Sequence, residues 1–182
     1  MKTLAFAASN HSESINRALV GYAAGRLQSM YPQAEVEFID INEYEMPIYS
    51  IDREQADGVH PLAQAFFEKI GAADAVLVSF AEHNGYVTAA WKNIFDWMSR
   101  IDTKVWQDKL VVALAASPGP RAGANVLSTQ EFSAPYFGMT LKGQHGVGIW
   151  AEAWDGTSLT KEEDIAAIDA ALSAMITAFD GG

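Results

Sequence analysis

The 182-residue chain contains no cysteine. Disulfides, thiolate nucleophiles, cysteine-ligated zinc and cysteine-held iron–sulfur clusters are excluded together, and any redox chemistry has to come from a bound cofactor. Basic side chains are scarce: 12 Lys and Arg stand against 23 Asp and Glu, a formal net charge of -11. A surface of that sign repels phosphate backbones, so nucleic acid is not an expected partner. Long hydrophobic runs are missing too. No stretch reaches the roughly 20 apolar residues that cross a bilayer. Leu4-Ala5-Phe6-Ala7-Ala8 gives way to polar Ser9-Asn10-His11 too soon for a secretory signal. The expectation is a soluble, cytoplasmic protein with no membrane partner. There is no His and carboxylate spacing suited to a metal, so no metal is expected. The Gly-x-Gly-x-x-Gly of a dinucleotide site, the Gly-Lys-Ser/Thr of a nucleotide-hydrolysing loop and the Gly-x-Ser-x-Gly of a hydrolase elbow are all absent.

What is present is a chain of 49% hydrophobic and 19% charged residues, the composition of a globular protein. No low-complexity linker and no repeat divides it, so a single domain over residues 1–182 is expected. Its elements alternate. Residues 3–8 and 35–39 read as short strands, and residues 75–80 and 110–115 as apolar runs suited to strands covered on both faces. Residues 141–150, with Gly143, Gly146 and Gly148, hold a less regular fifth. Helical spacing follows from about Ser14 (Ile15, Ala18, Leu19, Tyr22, Ala23, Leu27), from Pro61, over about 88–100, from about Gly123, and over 162–179. Residues 40–52, with Pro47, read as a loop. Five strands alternating with helices predict an α/β fold with a parallel sheet and helices on both faces. Ligands of such sheets sit beyond the carboxyl ends of the strands. The loops after strands one, three and four (9–14, 81–88 and 117–122) are the richest in Ser, Asn and Gly, so organisation and chemistry point to one edge.

The first loop runs Ser9-Asn10-His11-Ser12-Glu13-Ser14-Ile15-Asn16 into a helix. Hydroxyls and free N–H groups at a helix start suit a phosphate, although Ser12 or Ser14 can equally serve as a plain helix cap. In the second, Gly85 permits a tight turn and Asn84 offers both a donor and an acceptor. Backbone N–H groups of such a loop can pair with the carbonyl edge of a flat ring. In the third, Ser117-Pro118-Gly119-Pro120-Arg121 is either a turn alone or part of the same site, with Arg121 a solvated side chain or a neutralising charge.

These loops resemble those of the NADPH-dependent FMN reductases, a family of flavodoxin-like fold. The family carries Gly-Ser-x-Arg-x-x-Ser-x-Asn where this chain has Ala8-Ser9-Asn10-His11-Ser12-Glu13-Ser14-Ile15-Asn16. Ser9, Ser14 and Asn16 match, while Ala8 and His11 replace glycine and arginine. It carries Pro-Glu-Tyr-Asn-Gly-Ser-x-Pro-Gly-x-Leu-Lys-Asn-x-x-Asp-Trp where this chain matches at Glu82, Asn84, Gly85, Lys92, Asn93, Asp96 and Trp97, with Ala81 for proline and His83 for tyrosine. Ser117, Gly119 and Gly123 match a third motif, and Met46-Pro47-Ile48-Tyr49 resembles the family's Leu-Pro-Leu-Tyr segment. The resemblance covers about the first 130 residues well and the last 50 weakly.

The resemblance implies a three-layer flavodoxin-like sandwich with a five-stranded sheet of order 2-1-3-4-5. It implies FMN as cofactor and NADPH or NADH as co-substrate. It also implies reduction of a small acceptor (a quinone, an azo or nitro compound, a metal oxyanion or free flavin) by ping-pong hydride transfer in a homodimer or homotetramer. Ser9, His11, Ser14 and Asn16 would then hold the phosphate. Glu82, His83, Asn84 and Gly85 would hold the ring, and Ser117, Gly119 and Arg121 its pyrimidine end. Glu82 as an anion disfavours reduced flavin, which points to a role bonding backbone N–H groups. Lys92, Asn93, Asp96 and Trp97 lie on a helix and serve packing or subunit contact. His83 is the candidate catalytic residue, as a donor to a substrate carbonyl or a group that changes charge near neutral pH. The same ring can also simply stack. Two other readings are a flavodoxin-type electron carrier, and a family member whose substitutions at Ala8, His11, Ala81 and His83 record a lost or altered flavin site.

Overall fold

The computed structural model describes residues 1–182. Strand β1 (Lys2–Ala8) leads into helix α1 (Ile15–Met30), and β2 (Glu35–Phe38) follows. The stretch read as a loop holds a 3-10 turn (Ile41–Tyr44) and the start of the short helix α2 (Ile51–Asp57), whose first turn is capped by the Ser50 hydroxyl. Helix α3 (Pro61–Ala72) precedes β3 (Ala75–Phe80). A two-stranded hairpin, β4 (Glu82–His83) and β5 (Tyr86–Val87), stands where only a loop was expected. Then come α4 (Ala89–Met98), β6 (Leu110–Ala116), α5 (Ala124–Ser133), β7 (Thr140–Val147), the single turn α6 (Trp150–Ala153) and α7 (Glu162–Asp180).

The main sheet has the order β2-β1-β3-β6-β7 with every neighbour parallel. With the hairpin strands set aside this is the flavodoxin-like 2-1-3-4-5 order. Its centre is apolar on both faces, and all six residues of β3 are buried, because helices cover both sides. Phe6, Phe66, Trp91 and Trp106 pack with α3, α4 and α5 on one face. Leu19, Leu27, Leu77, Leu114 and Met175 pack with α1 and α7 on the other. β7 is less regular because Lys142 is an extra residue between the pairs Val111–Leu141 and Val112–Gly143.

The carboxyl edge of the sheet is tied together by one side chain. Asn16, 3% exposed, sits in the first turn of α1. Its Oδ1 accepts from Ser79 Oγ at the end of β3 and from the N–H of Ala116 at the end of β6, both at 2.8 Å. Its Nδ2 donates to the Ala116 carbonyl at 3.2 Å. A second tie runs through Thr88. Its hydroxyl donates to the Ala8 carbonyl and accepts from Trp91 N–H, both at 3.1 Å, so the N-cap of α4 is pinned to the end of β1.

The Asn16→Ala variant leaves the Ser79 hydroxyl and both Ala116 backbone groups without partners. It should lose about 2–4 kcal/mol in urea unfolding, and Ser79→Ala about 1 kcal/mol. A second expectation concerns Asp155, whose carboxylate accepts from the N–H and hydroxyl groups of Thr157 and Ser158 at 2.8–3.1 Å. The backbone bonds, foremost that from Thr157, lower its pKa to about 2. A lowered carboxyl pKa stabilises the fold above the unfolded value, near 4, and the contribution fades as pH falls toward 2. Asp155→Asn should therefore lower Tm at pH 7 and by progressively less between pH 4 and pH 2.

Candidate functional site

The three polar loops leave the sheet side by side, because β1, β3 and β6 are adjacent in it. In the first loop Ser9 and Ser14 are buried while His11, Ser12 and Glu13 are exposed. Ser14 occupies the N-cap position of α1, yet its hydroxyl makes no capping bond. The plain-cap reading thus fails for Ser14, and its hydroxyl is free for a ligand. The N–H groups of Ser12, Ser14, Ile15 and Asn16 have no partner within the chain. His11 is engaged locally. Its Nδ1 accepts from Glu13 N–H at 3.0 Å, which in the neutral ring places the proton on Nε2. His11 is therefore a one-donor group where the family motif has a charged fork.

Asn16 departs from the phosphate role that the resemblance implies. Its side chain turns into the sheet and is fully occupied by Ser79 and Ala116, leaving only its backbone N–H toward the loop.

The second loop is the hairpin. Asn84 and Gly85 both have positive φ, 54° and 79°, as a two-residue turn of type I′ demands, and the Asn-Gly pair is its preferred sequence. That dipeptide between short apolar flanks was the signal from which the hairpin could have been read. The N–H groups of Asn84 and Gly85 have no partner in the chain. His83 is exposed beside the turn, and its ring makes no hydrogen bond within the chain.

Glu82 is a brace for this loop. Its Oε2 accepts from the N–H of Val126 at 2.9 Å, at the positive start of α5, so it ties the hairpin to the helix that follows the third loop. Asn125, missed from the sequence, lies close by: a Cβ built on Gly85 would stand 3.3 Å from its Nδ2.

In the third loop Ser117 Oγ donates to the Gly119 carbonyl at 2.8 Å, so that hydroxyl keeps only acceptor capacity. Gly119 is half-buried and Arg121 is exposed without a partner. The N–H groups of Gly119, Arg121 and Ala122 are unpaired. This loop presses against the end of β7. A Cβ at Gly146 would lie 2.0 Å from the Ala122 carbonyl oxygen, so only glycine allows that approach. Ile149, a β-branched residue with φ 48°, is held in the left-handed region at a cost of about 1–2 kcal/mol. Its N–H donates to Gly119 O at 3.1 Å and that of Trp150 to Ser117 O at 3.2 Å, which fixes the loop from the far side.

The segment 46–49 is anchored by the α4 residues that matched the family motif. Asn93 Oδ1 accepts from Tyr49 N–H at 2.8 Å, and its Nδ2 donates to the Met46 carbonyl at 2.9 Å. Trp97 Nε1 donates to the Pro47 carbonyl at 2.8 Å. Tyr49 Oη donates to Glu54 at 2.9 Å. That bond, and then burial, raise the phenol above its usual pKa. Lys92 and Asp96 pair along the helix at 2.6 Å. Asn93 and Trp97 thus position the 46–49 segment, while the side chains of Lys92 and Asp96 bond only to each other.

The donor set has a chemical direction. All three loops present unpaired N–H groups, joined by the Ser14 hydroxyl and His11, and these fit an anion at the first loop and a ring with carbonyl and imine acceptors across the other two. FMN meets both demands, and the carboxylate of the second loop, Glu82, is held on α5.

The sequence of the NADPH-dependent FMN reductase family matches residues 1–150. An NADPH:quinone oxidoreductase of Arabidopsis thaliana is 30% identical over 119 residues, 65% of this chain and 59% of that protein. An NAD(P)H-dependent FMN reductase of Pseudomonas aeruginosa is 34% identical over 119 residues, 65% of this chain and 61% of that protein. This chain thus spans about three-fifths of the length of these relatives. In structure it is similar to FerB, a flavoenzyme NAD(P)H:(acceptor) oxidoreductase from Paracoccus denitrificans, with a TM-score of 0.74 and 21% identity over 99% of this chain and 97% of that one. At that identity the likeness is one of fold. Loop geometry, strand order and a sequence match over most of the chain agree, and the chain belongs to the NADPH-dependent FMN reductase family.

Proposed function

We propose that the chain, as a single domain, binds FMN across the three loops and oxidises NADPH or NADH to reduce a small acceptor in a ping-pong cycle. The observation that carries this reading is the set of unpaired N–H groups on all three loops, at one sheet edge, beside the unengaged hydroxyl of Ser14. FMN, when bound, supplies the hydride-accepting and hydride-donating chemistry that this cysteine-free chain lacks. Ser9, Ser14, the Nε2–H of His11 and the amides of Ser12, Ser14, Ile15 and Asn16 hold the phosphate. Asn84 and Gly85 present two amides to the ring, while Ser117, Gly119 and Arg121 flank its pyrimidine end. Glu82 and the side chain of Asn16 act one step back, holding the loops in register. His83, exposed beside the turn, donates a hydrogen bond to the acceptor oxygen. The acceptor class is a quinone, an azo or nitro compound, a metal oxyanion or free flavin, and the assembly is a homodimer or homotetramer in the cytoplasm. No helix is long and apolar enough to cross a membrane.

The protein mixed with FMN and desalted should retain a flavin absorption spectrum at about one FMN per chain and then oxidise NAD(P)H when a quinone is added. Loss of all flavin on desalting would overturn the reading. Flavin retained without NAD(P)H oxidation would favour an electron carrier instead. The His83→Phe variant should keep its flavin, while kcat/KM for the quinone falls about tenfold, equivalent to ~1.4 kcal/mol of transition-state stabilisation. An unchanged kcat/KM would remove His83 from the chemistry.

A further inference from the structure

A second recess, of about 150 Å³, lies between α4 and α5 and is walled at one side by the hairpin residues Tyr86 and Val87. No residue of the first or third loop lines it. Its floor is aromatic. Trp91 is buried, Phe95 lies 6.0 Å from it, and Phe137 meets Phe95 edge-on at 4.9 Å between ring centroids. An apolar cavity of roughly 150 Å³ holds one benzene-sized ring.

The polar lining distinguishes which ring. Gln130 is only 7% exposed, lines the recess, and its amide makes no hydrogen bond within the chain. Neither amide atom is sealed off from the surface, so the group opens onto the recess. A largely buried amide without a partner is unfavourable, and a ligand can relieve it. The neighbouring hydroxyls are already committed as donors to carbonyls of their own chain segment: Ser99 to Asp96 at 2.7 Å, Thr129 to Asn125 at 2.9 Å and Ser133 to Gln130 at 3.3 Å. They offer only lone pairs. Lys92 and Asp96 are occupied with each other at 2.6 and 2.8 Å. The recess therefore presents an excess of acceptors and one free amide with both a donor and an acceptor.

From this pattern we infer that the recess is a binding site for a monocyclic phenol, distinct from the FMN site. The ring fills the aromatic floor. The phenolic O–H donates to the acceptor-rich lining, and the phenolic oxygen accepts from the Gln130 amide. A quinone of the same size carries acceptors only, so it can accept from the Gln130 amide but cannot donate to the acceptor-rich lining. Hydroquinones belong to the favoured class, although the site does not rest on the flavin reading.

The test is a titration of the full chain with phenol, anisole and benzene, with and without FMN, following the indole N–H resonance of Trp91 and the side-chain amide of Gln130 by NMR. Phenol should shift both resonances saturably with a Kd of about 0.1–3 mM and bind about tenfold more tightly than anisole, which keeps the oxygen and loses the donor. Gln130→Leu should weaken phenol about fivefold or more and leave benzene unchanged. The ligand series in the unaltered protein stands if that variant fails to fold. Absence of saturation by about 10 mM, equal affinity for phenol and anisole, or displacement of phenol by FMN would each overturn the proposal. Because phenol binding is read with and without FMN, failure of the flavin reading leaves this result separately legible.

Discussion

The carboxyl edge of this sheet depends on the side-chain amide of Asn16. A parallel sheet fixes its strands along their length, but where they end each chain segment is free to diverge. Here one buried amide accepts from β3 and β6 together and donates back to β6. The start of α1, and with it the first loop, is thereby indexed to the ends of the two strands that launch the other loops. An aliphatic residue would fill the same space, yet it would strand a serine hydroxyl and two backbone groups where water does not reach. Thr88 and Glu82 extend the same logic outward. Thr88 joins the exit of the hairpin to the end of β1, and Glu82 joins its entry to α5. Each loop is held by a contact to an element other than its own.

This arrangement separates holding from binding. The side chains most committed to hydrogen bonds, Asn16, Glu82, Thr88 and Asn93, keep loops in place, and the groups left free are mainly backbone amides. A site built on amides tolerates replacement of its side chains better than one built on charged forks, since every residue but proline carries the N–H. Ala8 in place of glycine is fully buried within a regular strand, and Ala81 in place of proline continues from β3 into the hairpin. Neither removes an amide from the site, and Ala81 adds one.

Much of the architecture was legible from local pattern. The apolar runs at 75–80 and 110–115, the helical spacing from Ile15 and the Pro61 start all correspond to elements, because sheet burial and helix amphipathicity leave periodic traces in sequence. The hairpin at 82–87 was not read, since its strands are two residues each and too short to alternate visibly. The Asn84-Gly85 turn carried the only sign. The motif residues of α4 read as packing or subunit-contact residues, but what Asn93 and Trp97 hold was hidden. Asn93 and Trp97 reach back 44–50 residues to the segment at 46–49, and a contact at that separation has no local signature. The same holds for Asn16, whose partner Ala116 lies 100 residues away. From sequence it stood beside two serines in a loop motif and shared their expected role. Only the fold separates the structural amide of Asn16 from the two serines of that motif.

His11 shows how far a single substitution changes a site without dismantling it. A guanidinium would bring a permanent charge and several donors to the phosphate. The imidazole brings one donor when neutral, and its other nitrogen is already holding the N–H of Glu13. Where the motif has a fixed positive charge, the first loop offers neutral hydrogen-bond donors instead: the free N–H groups of Ser12, Ser14, Ile15 and Asn16, the unengaged Ser14 hydroxyl and one imidazole N–H.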